Sequence, residues 1–189
     1  MYLVLVPPSF TYIIAHMKRL YFIRHGQSEL NVLGKFAGMT DTPLTKEGEQ
    51  GALQAGKDSK DVGLDIILAS RLSRAHNTAK LFAKGAGLPE SMIQINDLLL
   101  ERNFGILENT TWTREISSGL MNDNLPEGVE PWDNLVKRAQ QLLDYVNKLP
   151  VDDVLLVGHG AIGRAIRSIL EPDTDYRSGI PNTELVRWV

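Results

Sequence analysis

Four places in the sequence carry side chains suited to moving a phosphoryl group: Arg24-His25-Gly26, Arg74 within Ser70-Arg71-Leu72-Ser73-Arg74-Ala75, Glu101, and Gly158-His159-Gly160. A neutral imidazole is a nitrogen nucleophile available near neutral pH. Arginine offers a planar fork that grips two phosphate oxygens at once and stays protonated. The transferred group spreads its charge over its equatorial oxygens, so catalysis is mostly positioning and electrostatic stabilisation. The leaving alkoxide needs a proton, which a carboxyl group of raised pKa can donate. Taken singly, each residue also has a plainer reading. His25 suits a hydrogen-bonded structural histidine, His159 a glycine-flanked turn, Arg74 a solvated helix charge and Glu101 an ion-pair partner. The decision rests on whether the fold brings them together.

The apolar run at 20–23, halted by Arg24-His25-Gly26, reads as a buried parallel strand. Further strands are expected at 65–69, 91–95 and 153–157, with 184–189 closing the chain as an edge strand. A helix opens at Thr45, an N-cap preceded by apolar Leu44. A second spans 72–84, with Leu72, Ala75, Ala79 and Phe82 or Ala83 on one face, and ends at Gly85 and Gly87 before Pro89. Between 103 and 130 the chain is loop-rich, with one short helix near 112–117. Pro131 starts a helix to about Leu149, carrying Leu135, Ala139, Leu142, Leu143 and Val146 on one stripe, and another helix follows at 161–170.

Strands alternating with helices give an α/β class with a mostly parallel sheet. Such sheets bind ligands outside the carboxyl ends of their strands. Arg24-His25, the segment from Ser70 to Arg74, and His159 each fall just past a strand's carboxyl end, and Glu101 follows the third strand. The helix opening at Ala161 adds backbone N–H donors and a positive dipole end for the same phosphate.

Bulk properties narrow the partners. The 189 residues suit one domain, and 43% hydrophobic with 23% charged residues is ordinary for a globular protein. A net charge of −3 argues against nucleic acid or anionic membrane as the main partner, while a locally positive pocket still suits a small anion. No cysteine is present, which excludes disulfides, a thiol nucleophile and thiolate metal sites, and leans towards the cytoplasm. No cofactor and no metal are called for if the arginines and second histidine neutralise the phosphate. Residues 1–16 read as an extension ahead of a single domain at 17–189. Their apolar run lacks a basic start and is interrupted by Pro7-Pro8, so neither a signal peptide nor a membrane span fits well; a miscalled start is the companion reading, and an anchor or docking segment the alternative. The closing strand is an edge through which another chain could pair, and oligomeric state stays open.

At these residues the chain resembles the histidine phosphatase superfamily, the phosphoglycerate-mutase-like proteins. Arg24 to Asn31 resembles the opening motif, continued in register by Phe36, Gly38, Asp41, Leu44-Thr45 and Gly48. The segment Ser70 to Ala75 with Thr78-Ala79, then Glu101 to Gly105, then Gly158-His159-Gly160, follow in the family's order. The resemblance implies a three-layer α/β/α sandwich with a mostly parallel sheet. It further implies phosphorylation of His25, a phosphate held by Arg24, Arg74 and His159, proton donation by Glu101, and Asn31 with Ala161 lining the substrate pocket. Arg71 and Arg102 are expected as surface or rim charges, His76 as an exposed helix residue, and Trp112 and Trp132 as core or pocket wall.

Within the family, three departures favour hydrolysis over mutase activity. No Trp-Arg-Arg-type run follows Glu101, Ala161 stands where mutases carry asparagine, and Pro181-Asn182-Thr183 resembles the phosphatase tail. A mutase must retain a doubly charged intermediate and exclude water. The loop's Glu108, Glu115, Asp123, Glu127 and Glu130 against Arg114 alone supply little for that. Asn109, where the family commonly has glycine, tolerates a left-handed turn. The expectation is a phosphomonoesterase for a small phosphorylated metabolite; the alternatives are a cofactor-dependent phosphoglycerate mutase and a phospho-ligand binder without turnover.

Overall fold

The computed structural model describes residues 19–120, 125–175 and 178–188. The expected extension at 1–16, with Met17 and Lys18, Asp123 and Val189, lies outside the described residues. Five strands, β1 (Arg19–Arg24), β2 (Ile66–Ala69), β3 (Ile93–Ile95), β4 (Asp153–Gly158) and β5 (Leu185–Arg187), form one sheet in the order β3-β2-β4-β1-β5. All neighbours are parallel except β5, which runs antiparallel to β1 at the edge. The helices are α1 (Glu29–Val32), α2 (Lys46–Asp58), α3 (Ser73–Ala86), α4 (Arg114–Gly119), α5 (Trp132–Asn147) and α6 (Gly160–Leu170).

The period of two along β1 divides the core. Leu20 and Phe22 join the cluster that α5 and α6 cover, through Leu135, Ala139, Leu142, Ile162 and Ile166. Tyr21 and Ile23 join the opposite cluster, where α3 supplies Ala75, Ala79, Phe82 and Ala83. Helices on both faces of one sheet make the three-layer α/β/α sandwich that the alternation of elements implies. The five stripe positions of α5 are all buried, as their spacing predicts. Burying each such leucine contributes about 1.5–3 kcal/mol.

Register is what positions the site. Arg24 lies opposite Gly158, and Ala69 opposite Val157, so the chain leaves β1, β2 and β4 at one level. His25, Ser70 and His159 are the next residues on each.

The differences from the expected elements have local causes. Helix α3 runs through Gly85 and ends only at Gly87, which takes φ +75° and donates back to Ala83 and Lys84. Gly85 serves packing instead: a Cβ there would run into the Leu53 carbonyl of α2, and one at Gly56 into that of Phe82. The third strand begins late because Pro89 leads into a single 3₁₀ turn at Glu90–Met92. Pro131 precedes α5 as its N-cap and lies outside the first turn. The short loop helix starts at Arg114, two residues beyond Trp112, because the Thr113 hydroxyl accepts from the Ile116 amide. Helix α1 is an addition: Ser28 and Asn31 close a capping box around one turn, a signal the sequence carried in Ser-x-x-Asn form.

Candidate active site

His25 is 3% exposed, and its Nδ1 lies 2.7 Å from the Gly26 carbonyl. A carbonyl only accepts, so Nδ1 carries the proton, and a neutral ring has its lone pair on Nε2. The backbone around it is held from three sides. The His25 amide donates to Gly158, Gly26 donates to the Thr78 hydroxyl at 2.9 Å, and Asn182 Nδ2 donates to the His25 carbonyl at 2.6 Å. Gly26 and Gly48 face each other at the start of α2. A Cβ on either would collide with backbone, at Gly48 or at Gln27, so both positions require glycine.

His159 is fully buried beside His25, with ring centroids 5.0 Å apart. Its Nε2 is 2.9 Å from Ser70 Oγ, a bond the level strand ends make possible. Arg74 is also fully buried and holds the loop after α1 by donating to the Gly38 and Thr40 carbonyls at 2.7 and 2.9 Å. Glu108 grips that loop from the other side, accepting from the Met39 and Thr40 amides and the Thr40 hydroxyl. Asp41 accepts from the Ser73 amide and hydroxyl, fixing the start of α3 and so the height of Arg74. Arg24 donates to the Ile180 carbonyl at 2.9 Å.

Glu101, 9% exposed, caps α6. Its Oε1 accepts from the Arg102, Ala161 and Ile162 amides at 2.9, 3.0 and 3.2 Å, whereas Oε2 receives only the Ala161 amide at 3.2 Å. The Ala161 amide, expected to face a phosphate, is thus engaged by Glu101. Asn31 also uses its side chain locally, accepting from the Ser28 amide at 3.1 Å, while lining the cavity.

Three buried polar atoms here lack a protein partner among the described residues: Arg24 Nε, Arg74 Nε and His159 Nδ1. Three donors or acceptors left over in one region suit an anionic ligand with several oxygens. Burial, first, and then the Arg74 and Arg24 charges push the His25 pKa well below its ordinary value. Burial, then Arg74, His25 and Arg24, do the same to His159. Both rings are therefore neutral at neutral pH. Burial lowers the pKa of Arg74 and Arg24 as well, with the Glu101 charge opposing it in both.

A cavity of about 810 Å³ opens over these residues. Among the described residues its charged lining consists of Arg24, Lys35, Arg74, Arg102, Arg114 and Arg164 against Glu101 alone. Trp112 and Trp132 both line it, the first half exposed, the second packed against the core as well. From the loop itself Arg114 is the one cation in this lining, and the others come from outside it. Of the loop's acids, Glu108 is bound to the 38–40 loop and Glu130 to Arg138, while Arg114 faces the cavity.

Arg102 is likewise not a surface charge. It is 2% exposed and donates to the Glu130 and Leu120 carbonyls at 2.7 and 2.8 Å, tying the two ends of the loop together. Arg71 is exposed and paired with Asp97, as expected. His76, expected to be exposed, is half-buried, with the Lys80 and Glu90 charges acting on it. Asn109 takes φ +65°, the left-handed turn its residue type allows. Lys35, Arg164 and Ile180 are contributors with no individual signal in the sequence. Among the described residues no cluster of three or more metal-ligating side chains occurs, and no helix is long and apolar enough to cross a membrane.

Comparison with known proteins agrees with the geometry. The chain is similar to probable phosphoglycerate mutase GpmB of Escherichia coli (strain K12 / DH10B), 32% identical over 166 residues, 82% of this chain and 75% of that protein. Among solved structures it is similar to TTHB049 from Thermus thermophilus, with a TM-score of 0.71 and 28% identity over 89% of this chain and 92% of that one. The fold also matches a mycobacterial glucosyl-3-phosphoglycerate phosphatase complexed with VO3, at a TM-score of 0.77 and 23% identity, covering 90% and 92% of the two chains. Residues 20–188 match the sequence model of the histidine phosphatase superfamily, branch 1. That match runs from within the first strand to beyond the last, and the chain belongs to the histidine phosphatase superfamily.

Proposed function

We propose that this protein is a metal-independent phosphomonoesterase that passes the phosphoryl group of a small metabolite through Nε2 of His25 to water. The observation that carries this reading is the 2.7 Å contact from His25 Nδ1 to the Gly26 carbonyl, which leaves the lone pair of a neutral ring on Nε2. In the first step Nε2 attacks phosphorus as the ester P–O bond breaks, and the departing alkoxide takes a proton from Glu101. In the second, water attacks phosphohistidine with Glu101 receiving its proton. Oε2 is the oxygen suited to this exchange, since Oε1 already accepts three amides. Arg24, Arg74 and His159 hold the phosphate and stabilise its developing charge, with Asn31 and the Ala161 end of α6 at its border.

Incubation with p-nitrophenyl phosphate in excess EDTA tests the reading. Release between pH 5 and 8 that disappears in His25→Ala is expected; no release from the wild type at any of these pH values overturns it. Mutase activity is the second reading, favoured by the cationic cavity wall and the similarity to GpmB. Robust interconversion of 3- and 2-phosphoglycerate in the presence of 2,3-bisphosphoglycerate would establish it. A binding role without turnover is disfavoured because both the nucleophile and the acid are retained.

A further inference from the structure

We propose that the substrate carries, beside the transferred phosphate, a second anionic group that is read by Arg164, Arg114 and Lys35. This rests on the phosphomonoesterase reading and extends it from reaction to substrate class. Of the six cations lining the cavity, Arg24 and Arg74 stand at His25, and they alone match a phosphate monoester's charge of about −2. Arg102 is spoken for by two carbonyls. Arg164, Arg114 and Lys35 remain, and their side chains form no hydrogen bond or ion pair with another described residue.

Such a surplus is unfavourable in the empty protein. Arg164 acts on both Arg24 and Arg102 by like-charge repulsion, and the only acid in the lining among the described residues is already bonded to the start of α6. Three arginines elsewhere are paired with acids: Arg19 with Asp153, Arg71 with Asp97, Arg138 with Glu130. Cations gathered without a counter-charge in a protein of net charge −3 are what a polyanionic ligand requires. The volume agrees. About 810 Å³ lies within the roughly 300–1,000 Å³ typical of pockets for whole small molecules, far more than one phosphate fills. The three cations come from α6, α4 and the segment after α1, so they surround the cavity's outer part from different elements.

The second group is a carboxylate or a second phosphate, and paired substrates separate the two. kcat/KM would be measured for 3-phosphoglycerate against glycerol 3-phosphate, and for glucose 1,6-bisphosphate against glucose 6-phosphate. The wild type is expected to prefer the more highly charged member of at least one pair by tenfold or more. Arg164→Gln and Arg114→Gln are each expected to reduce that ratio by roughly 10-fold, mainly through KM, as for loss of a charge-assisted contact. Arg71→Gln, an exposed ion-paired arginine, should leave the ratio unchanged. Calorimetric binding of the same four compounds to His25→Ala reads the preference without turnover. No preference in either pair, by kinetics or by binding, overturns the proposal, as does a preference that survives both substitutions. Failure of p-nitrophenyl phosphate hydrolysis with the binding preference intact would instead overturn the phosphomonoesterase reading alone.

Discussion

The floor and the outer wall of the cavity are built on opposite terms. At the floor the functional side chains are buried and held by fixed partners: His25 by the Gly26 carbonyl, Arg74 by Gly38 and Thr40, His159 by the Ser70 hydroxyl, Glu101 by three amides. At the wall, Lys35, Arg114 and Trp112 come from loop or a one-and-a-half-turn helix, and their side chains are half-buried or exposed. The floor is preorganised, as phosphoryl transfer needs, because donors fixed before the reaction need no reorganisation during it. The wall is more exposed, as suits a surface that selects one substrate among chemically similar ones.

If the floor is the reacting part, its changes should be severe. His25→Ala should lower kcat on p-nitrophenyl phosphate by at least about a thousandfold while the protein still unfolds cooperatively. Arg74→Gln should lose both activity and fold, about 2–4 kcal/mol in urea denaturation, because it strips charged donors from the Gly38 and Thr40 carbonyls. Gly48→Ala tests the packing beneath the nucleophile. Its methyl meets the Gln27 carbonyl, and a loss of about 1–3 kcal/mol with reduced kcat is expected.

A pH effect follows from the two buried imidazoles. Each has a folded pKa below its unfolded value, so the unfolded chain binds more protons just below pH 6.5. Their stabilising contribution is present above about pH 6.5 and falls as pH drops through that value towards the folded pKa. Each histidine should add about 1.4 kcal/mol per pH unit to the slope of unfolding free energy, and His159→Asn should remove its share. At the wall the comparison predicts the reverse balance. Trp112→Ala should change stability by less than about 0.5 kcal/mol while raising KM severalfold.

The same contrast explains what could be read from sequence. His25, Arg74 and His159 were legible because period and strand length fix where β1, β2 and β4 end, and register then makes those ends level. The α5 stripe was legible for the same reason, since burial follows from spacing alone. Arg102 was not, because its partners are carbonyls of Leu120 and Glu130, contacts with no residue-type signature. Nor could the loop's charge balance be inferred by counting. Glu108 and Arg114 lie six positions apart, yet one binds the 38–40 loop and the other faces the cavity. Gly85 misled in a related way, since a glycine that admits a neighbouring helix looks in sequence like one that ends its own.

The central claim is that His25 Nε2 accepts the phosphoryl group. Rapid quenching of the wild type during turnover, followed by peptide mass spectrometry under alkaline conditions, tests it directly. The account predicts an acid-labile phosphate on the peptide containing His25, absent from His25→Ala. A phosphate on another residue, or turnover with no phosphoenzyme at any quench time, would contradict it.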